Sequence, residues 1–162
     1  MNIPESSMTR MNKGGTLDLG FCSITMVSAD HSSGCLEGKT VFYGGDPAGF
    51  VISAKDARVY HAGDTNVFGD MSLITELYAP THALLPIGGH STMGPREAAL
   101  AVCKFLTTVK VVIPMHFGTF PFLKGTVEEF EKFMAEYSKA YERGLVKVFP
   151  PSEFTESKDL PQ

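Results

Sequence analysis

The sequence carries no surplus of positive charge: 14 Lys and Arg stand against 18 Asp and Glu, a formal net charge of −4. No Lys/Arg cluster offsets that balance, so a nucleic-acid-binding surface is not expected. Long apolar runs are missing as well. None approaches the ~20 residues that span a bilayer, and no membrane segment is expected. Cysteine is scarce: Cys22, Cys35 and Cys103 form no CxxC pair. An odd number without a framework reads as reduced thiols, and a cytoplasmic location is expected. Residues 1–10 are polar and have no apolar h-region, so no secretory signal is expected. Several catalytic signatures are absent too. There is no Gly-x-Ser-x-Gly elbow, no GxGxxG after a strand and no HExxH, which removes the motif-borne serine-hydrolase, dinucleotide and zincin readings.

What is present is an ordinary globular composition, with 162 residues, 43% hydrophobic and 20% charged. That length supports one domain with a sizeable core. The expected plan is a loose lead-in over 1–10, a folded domain over 11–150 and a loose tail over 151–162.

Chemistry gathers at the ends of apolar runs. Ile24-Thr25-Met26-Val27 leads into Asp30-His31-Ser32-Ser33-Gly34, and Val59-Tyr60 leads into His61-Ala62-Gly63-Asp64-Thr65. Ala83 to Ile87 leads into Gly88-Gly89-His90, and Val109 to Ile113 leads into Pro114-Met115-His116. Open sheets place their sites at strand ends. Nitrogen and oxygen donors delivered there point to a divalent metal, with zinc, manganese or iron all suited to such ligands.

The rest of the chain supplies the frame. Thr16 to Leu19 and Phe21 to Val27 read as strands. Val41 to Tyr43 and Phe50 to Ile52, flanking a Gly-rich turn, read as a hairpin. Asp70 is placed to cap a helix whose apolar face is Leu73, Ile74, Leu77 and Tyr78. Pro95 opens a second helix. Thr126 and Glu129 form a capping-box pattern at the start of a third, which carries Phe130, Phe133, Met134 and Tyr137. Leu145 to Phe149 reads as a last strand. Strands in front and strand–helix alternation behind predict an α/β, mixed-sheet fold with helices on at least one face.

Each candidate has a plainer role. Asp64 can bind or bridge metal, or simply bond its own turn. His31 and His116 suit metal ligation, although a lone His at a strand end is more often a satisfied core residue. His61 stands beside Asp64 as a structural partner or a ligand. His90, between glycines and hydroxyls, suits substrate contact or proton transfer. His82 begins a strand and reads as structural.

In order, Asn12-Lys13-Gly14-Gly15, His31-Ser32-Ser33, Gly44 to Phe50, Tyr60 to Thr65, Leu85 to His90 with Thr92 to Pro95, and Pro114 to Pro121 form a specific series of blocks. From Met11 to Phe149 the chain resembles metallo-β-lactamase-fold hydrolases of an uncharacterised metal-dependent hydrolase family related to ascorbate-6-phosphate lactonase. The resemblance implies a partial αββα sandwich with helices on the outer face. It implies a small-molecule substrate and hydrolysis of an ester, lactone or phosphoester by metal-activated water. It also implies metal ligation by His31, Asp64 and His116, with Asp64 bridging and catalytic, and with His61 and His90 in family blocks but off the ligand positions. The superfamily's His-x-His-x-Asp-His motif is absent, so the blocks match the C-terminal part of that sandwich. Two consequences are expected: weak or single-metal binding, and an uncovered apolar sheet face that needs a partner chain or a homo-oligomer. The alternatives are a truncated, catalytically inactive binding partner and one half of a split enzyme.

Overall fold

A computed structural model describes residues 3–151. Seven strands form one mixed sheet: β1 (Thr16–Asp18), β2 (Cys22–Ser28), β5 (Ala48–Ala54), β6 (Arg58–His61), β7 (His82–Pro86), β8 (Val111–Met115) and β9 (Lys147–Val148). They lie side by side in that order. β3 (Gly34–Glu37) and β4 (Thr40–Tyr43) form a separate two-stranded ribbon. The helices are α1 (Met71–Tyr78), α2 (Pro95–Leu100), which continues as a π-helical turn over Ala101–Phe105, and α3 (Val127–Ala140).

Pairing direction positions the site. β2 runs antiparallel to β5 and β5 antiparallel to β6, while β6, β7, β8 and β9 run parallel. The C-terminal ends of β2, β6, β7 and β8 therefore share one edge of the sheet. The four loops that carry His31, Asp64, His90 and His116 leave from that edge.

The register sorts side chains onto two faces. Val51, Tyr60, Ala83 and Val112 are aligned neighbours on one face and are buried. That face packs into a core with Met71, Ile74, Ala98, Val102, Phe130 and Met134 of the helices. The opposite face holds Ile24, Ile52 and Val59 in one aligned row, and Met26, Phe50, His61, Leu84 and Ile113 in the next. These side chains are only part-buried, and Ile52 is 36% exposed.

Some local expectations are corrected. Val41 to Tyr43 does not pair with Phe50 to Ile52. Gly38, at φ 61°, closes a tight turn that pairs β4 with β3 instead, while β5 pairs with β2. The α1 face differs too: Leu73 and Leu77 are exposed, and Met71 and Ile74 make the contact with the core. Asp70 sits at the N-cap of α1, but its side chain makes no capping hydrogen bond. The strand expected from Val109 starts at Val111, because the Val109 N–H is used by the Leu106 carbonyl in a turn. Thr126 does cap α3, its hydroxyl accepting the Glu129 N–H at 3.2 Å.

Candidate metal centre

The turn after β6 is built for close approach. Ala62 is fully buried and its N–H bonds the Leu84 carbonyl across the sheet. Gly63 has φ 66°, and a Cβ there would press on the Ala48 carbonyl oxygen at 2.6 Å. Only glycine accepts both conditions. Asp64 follows, exposed at the edge. Thr65 turns back into the core with no exposure.

Thr65 is the crosspiece of the edge. Its hydroxyl accepts the Asp30 N–H at 2.9 Å and donates to the Asn66 carbonyl at 2.7 Å. The Asn66 N–H returns to the Asp30 carbonyl, and the Met93 N–H bonds the Thr65 carbonyl. One buried hydroxyl and its neighbouring amides thus bind the His31, Asp64 and His90 loops to one another. Gly88 adds the fourth loop, since a Cβ there would overlap the His116 carbonyl oxygen.

Two of the candidates meet. His116 Nε2 faces Asp64 Oδ2 at 3.7 Å. That is too long for a hydrogen bond. Donors sharing one tetrahedral zinc stand about 3.3–3.5 Å apart, close to this separation. The other ring nitrogen, Nδ1, is buried with no hydrogen-bond partner. The ring is therefore left short of polar partners on both sides. His116 also has φ 55°, and His90 has φ 63°. Such left-handed conformations cost about 1 kcal/mol or more outside glycine and recur at functional sites.

His31 is not gathered in. Its Nδ1 lies 2.8 Å from the Ser32 carbonyl. A carbonyl only accepts, so in the neutral ring this contact puts the proton on Nδ1 and leaves the lone pair on Nε2, the tautomer that ligates metal. Among the described residues, no three His, Cys, Asp or Glu side chains form a group that could hold an ion. The donors present fit a divalent cation as a two-residue half-site. His61 acts locally, its Nδ1 accepting the Gly63 N–H at 3.1 Å and shaping the turn before Asp64. His90 is exposed, with its ring 4.9 Å from that of Phe122. His82 lies at the start of β7, away from the edge, and its Nδ1 is 2.9 Å from the Thr81 hydroxyl.

A cavity of about 840 Å³ opens beside His116, lined also by Phe117, Lys124 and Thr126. A second, of about 500 Å³, opens beside His90 and Phe122 and shares Lys124 and Gly125 with the first. Sequence reasoning offered Thr65 only as a hydroxyl supporting Asp64, without its tie to Asp30, and missed Gly88 as the spacer and the aromatic loop at Phe120 and Phe122. The one signal for that tie was a hydroxyl next to the Asp. Its partner lies 35 positions away and leaves no local pattern.

The model of the family described as "Beta-lactamase superfamily domain" matches residues 1–117. The chain is 50% identical over 129 residues to a UPF0173 metal-dependent hydrolase of Koribacter versatilis, covering 79% of this chain and 54% of that protein. It is 49% identical over 151 residues to another of Rubrobacter xylanophilus, covering 92% and 60%. Among solved structures it is similar to Igni18, a metallo hydrolase from Ignicoccus hospitalis. That match has 39% identity and a TM-score of 0.69, covering 87% of this chain and 57% of that one. An isothiocyanate hydrolase from Delia radicum gut bacteria shares the fold at 22% identity and TM-score 0.62, covering 88% and 57%. The chain spans between about half and three-fifths of the length of the curated relatives it matches.

Proposed function

The chain belongs to the beta-lactamase superfamily domain family, and from that premise we propose that it supplies the metal-holding edge of a metal-dependent hydrolase. The carrying observation is the Asp64–His116 pair, 3.7 Å apart at the shared strand-end edge, with the second imidazole nitrogen buried and unpaired. Asp64 and His116 hold a divalent cation. His31 does not stand with this pair; it would be a third donor only if its Nε2 were brought to the same ion. Zinc suits this set, with manganese or iron as alternatives.

When bound, such a cation supplies Lewis acidity toward water and toward the scissile group of an ester, lactone or phosphoester. The chain's own residues do the rest. Thr65 keeps the Asp30–His31 loop in step with Asp64. His61 fixes the turn that presents the carboxylate. His90, exposed on a loop beside the second cavity, contacts the small-molecule substrate and moves a proton to the leaving group. The free thiols Cys22, Cys35 and Cys103 support a reducing, cytoplasmic setting. A two-donor centre and an open apolar sheet face both support completion by another polypeptide, a partner chain or a second copy. Nucleic acid and membrane have no part in this reading.

Equilibrium dialysis against zinc tests it, with metal counted per chain. Wild type retains zinc, and Asp64→Ala and His116→Ala each lose at least tenfold in affinity while keeping their fold by circular dichroism. Equal zinc on all three proteins rules the reading out.

A further inference from the structure

The loop after His116 is unusual in what it exposes. Phe120 is 59% exposed and Phe122 is 48% exposed. Their rings lie parallel, 5.4 Å apart between centroids with 1° between planes. Isolated exposed apolar residues are unremarkable, but two stacked rings on a short turn are a patch held open to solvent.

The backbone of the loop holds them there. The Leu123 N–H bonds the Phe120 carbonyl at 3.0 Å, and the Gly118 N–H reaches the Leu123 carbonyl at 3.4 Å. Leu123 itself is buried at 4% exposure and anchors the turn. The Gly125 N–H bonds the Gly88 carbonyl, and a Cβ on Gly125 would overlap the Ile87 carbonyl oxygen. Both ends of the loop are therefore fixed against the edge that carries His90 and His116. The backbone that carries the rings is fixed, which lowers the cost of binding something against them.

The His90 ring extends the row: it stands 4.9 Å from Phe122, tilted by 42°. Phe122 and His90 line the cavity of about 500 Å³, a volume suited to part of a small molecule. That cavity shares Lys124 and Gly125 as lining residues with the His116 cavity. A group held beside Phe122 and His90 would lie next to residues that also line the His116 cavity.

We infer that Phe120, Phe122 and His90 form a stacking subsite for a planar aromatic group of the substrate, beside the Asp64–His116 pair. The inference takes one thing from the proposed function, namely that substrate meets the chain at this edge. Aromatic rings favour offset or tilted stacking at centroid distances of about 4.5–7 Å, and Phe120 and Phe122 leave ring surface open to such a partner. The subsite selects aryl-bearing over alkyl-bearing substrates.

The chain has no tryptophan, so Phe120→Trp installs a single indole reporter within the stack. The 162-residue variant is titrated with 4-nitrobenzyl alcohol, a neutral planar quencher that does not compete for metal, with and without zinc. Expected is saturable quenching in both arms, reversed by benzyl alcohol and at least tenfold less effectively by cyclohexanemethanol. Adding Phe122→Ala or His90→Ala weakens the apparent affinity at least fivefold. If Phe120→Trp does not fold, Phe122→Trp carries the same reporter. Linear, unsaturable quenching, or equal displacement by the two alcohols, overturns the subsite even if zinc is retained. Saturable, aryl-selective quenching on a chain that fails to retain zinc upholds the subsite and removes the metal reading alone.

Discussion

The two faces of the sheet have nearly the same chemistry and opposite fates. Leu85 and Leu84 are consecutive in β7, yet Leu85 is fully buried under the helices and Leu84 is part-buried on the open side. Val51 and Ile52 in β5 differ in the same way, from 0% to 36% exposure. A strand buried on both sides reads as a continuous apolar run, whereas a half-solvated one alternates. β8 reads as a continuous run and β7 nearly so, although the described helices pack on one face of the sheet. The open face is thus composed as an interior face. Its part-buried side chains stabilise this chain less than their fully buried counterparts across the sheet.

The largest contrast is expected in the core. Leu85→Ala should cost about 3 kcal/mol in denaturant unfolding, because the cavity opens among fully packed neighbours. Leu84→Ala, one residue away, should cost clearly less, about 1–2 kcal/mol in the isolated chain, since a part-exposed side chain loses less of the transfer and cavity terms. Equal losses would mean that the open face is as well packed as the covered one.

Next comes the crosspiece. Thr65→Val keeps the shape and removes a buried hydroxyl that serves an N–H and a carbonyl. It should cost about 2 kcal/mol, through the unsatisfied Asp30 N–H. Amide exchange should also quicken at Asp30 and Asn66. A change confined to global stability, with those amides still protected, would show that the loops are tied by other means.

Ile52→Lys probes the open face itself. It should leave the unfolding midpoint nearly unchanged and shift the mass by light scattering toward 17.6 kDa, the mass of one chain. A wild-type protein already at that mass would remove the case for self-association through this face.

The smallest effect is expected at Tyr60. Its hydroxyl is buried without a partner, and burial pushes its pKa far up. Tyr60→Phe relieves an unpaired polar group, so stability should hold or rise by up to about 1 kcal/mol. A clear loss would reveal a partner for that hydroxyl.

Part of this was legible in the sequence because its causes are local. Pro95 fits the first turn of α2, and Thr126 caps α3 through an N–H three residues on. The four runs ending in His or Asp signalled the strand-end edge because a strand must stop where its apolar pattern stops. Pairing was less legible. Val41 to Tyr43 stands between two glycine-bearing connections, and the one at Gly38, not the one at Gly44-Gly45, sets its partner. Leu73 and Leu77 follow helical spacing and yet face solvent, because α1 meets the core through Met71 and Ile74. At the site, residue types announced Asp64 and His116. Their 3.7 Å separation, the unpaired Nδ1 and the Thr65 crosspiece depend on contacts between distant parts of the chain.

Whether Asp64 and His116 share a cation is tested most directly by imidazole nitrogen resonances. In a long-range ¹⁵N–¹H spectrum, zinc should move the His116 Nε2 signal strongly, and Asp64→Ala should abolish that movement at the same zinc concentration. If zinc leaves His116 Nε2 in place, or moves it equally in Asp64→Ala, the two side chains do not hold a common ion.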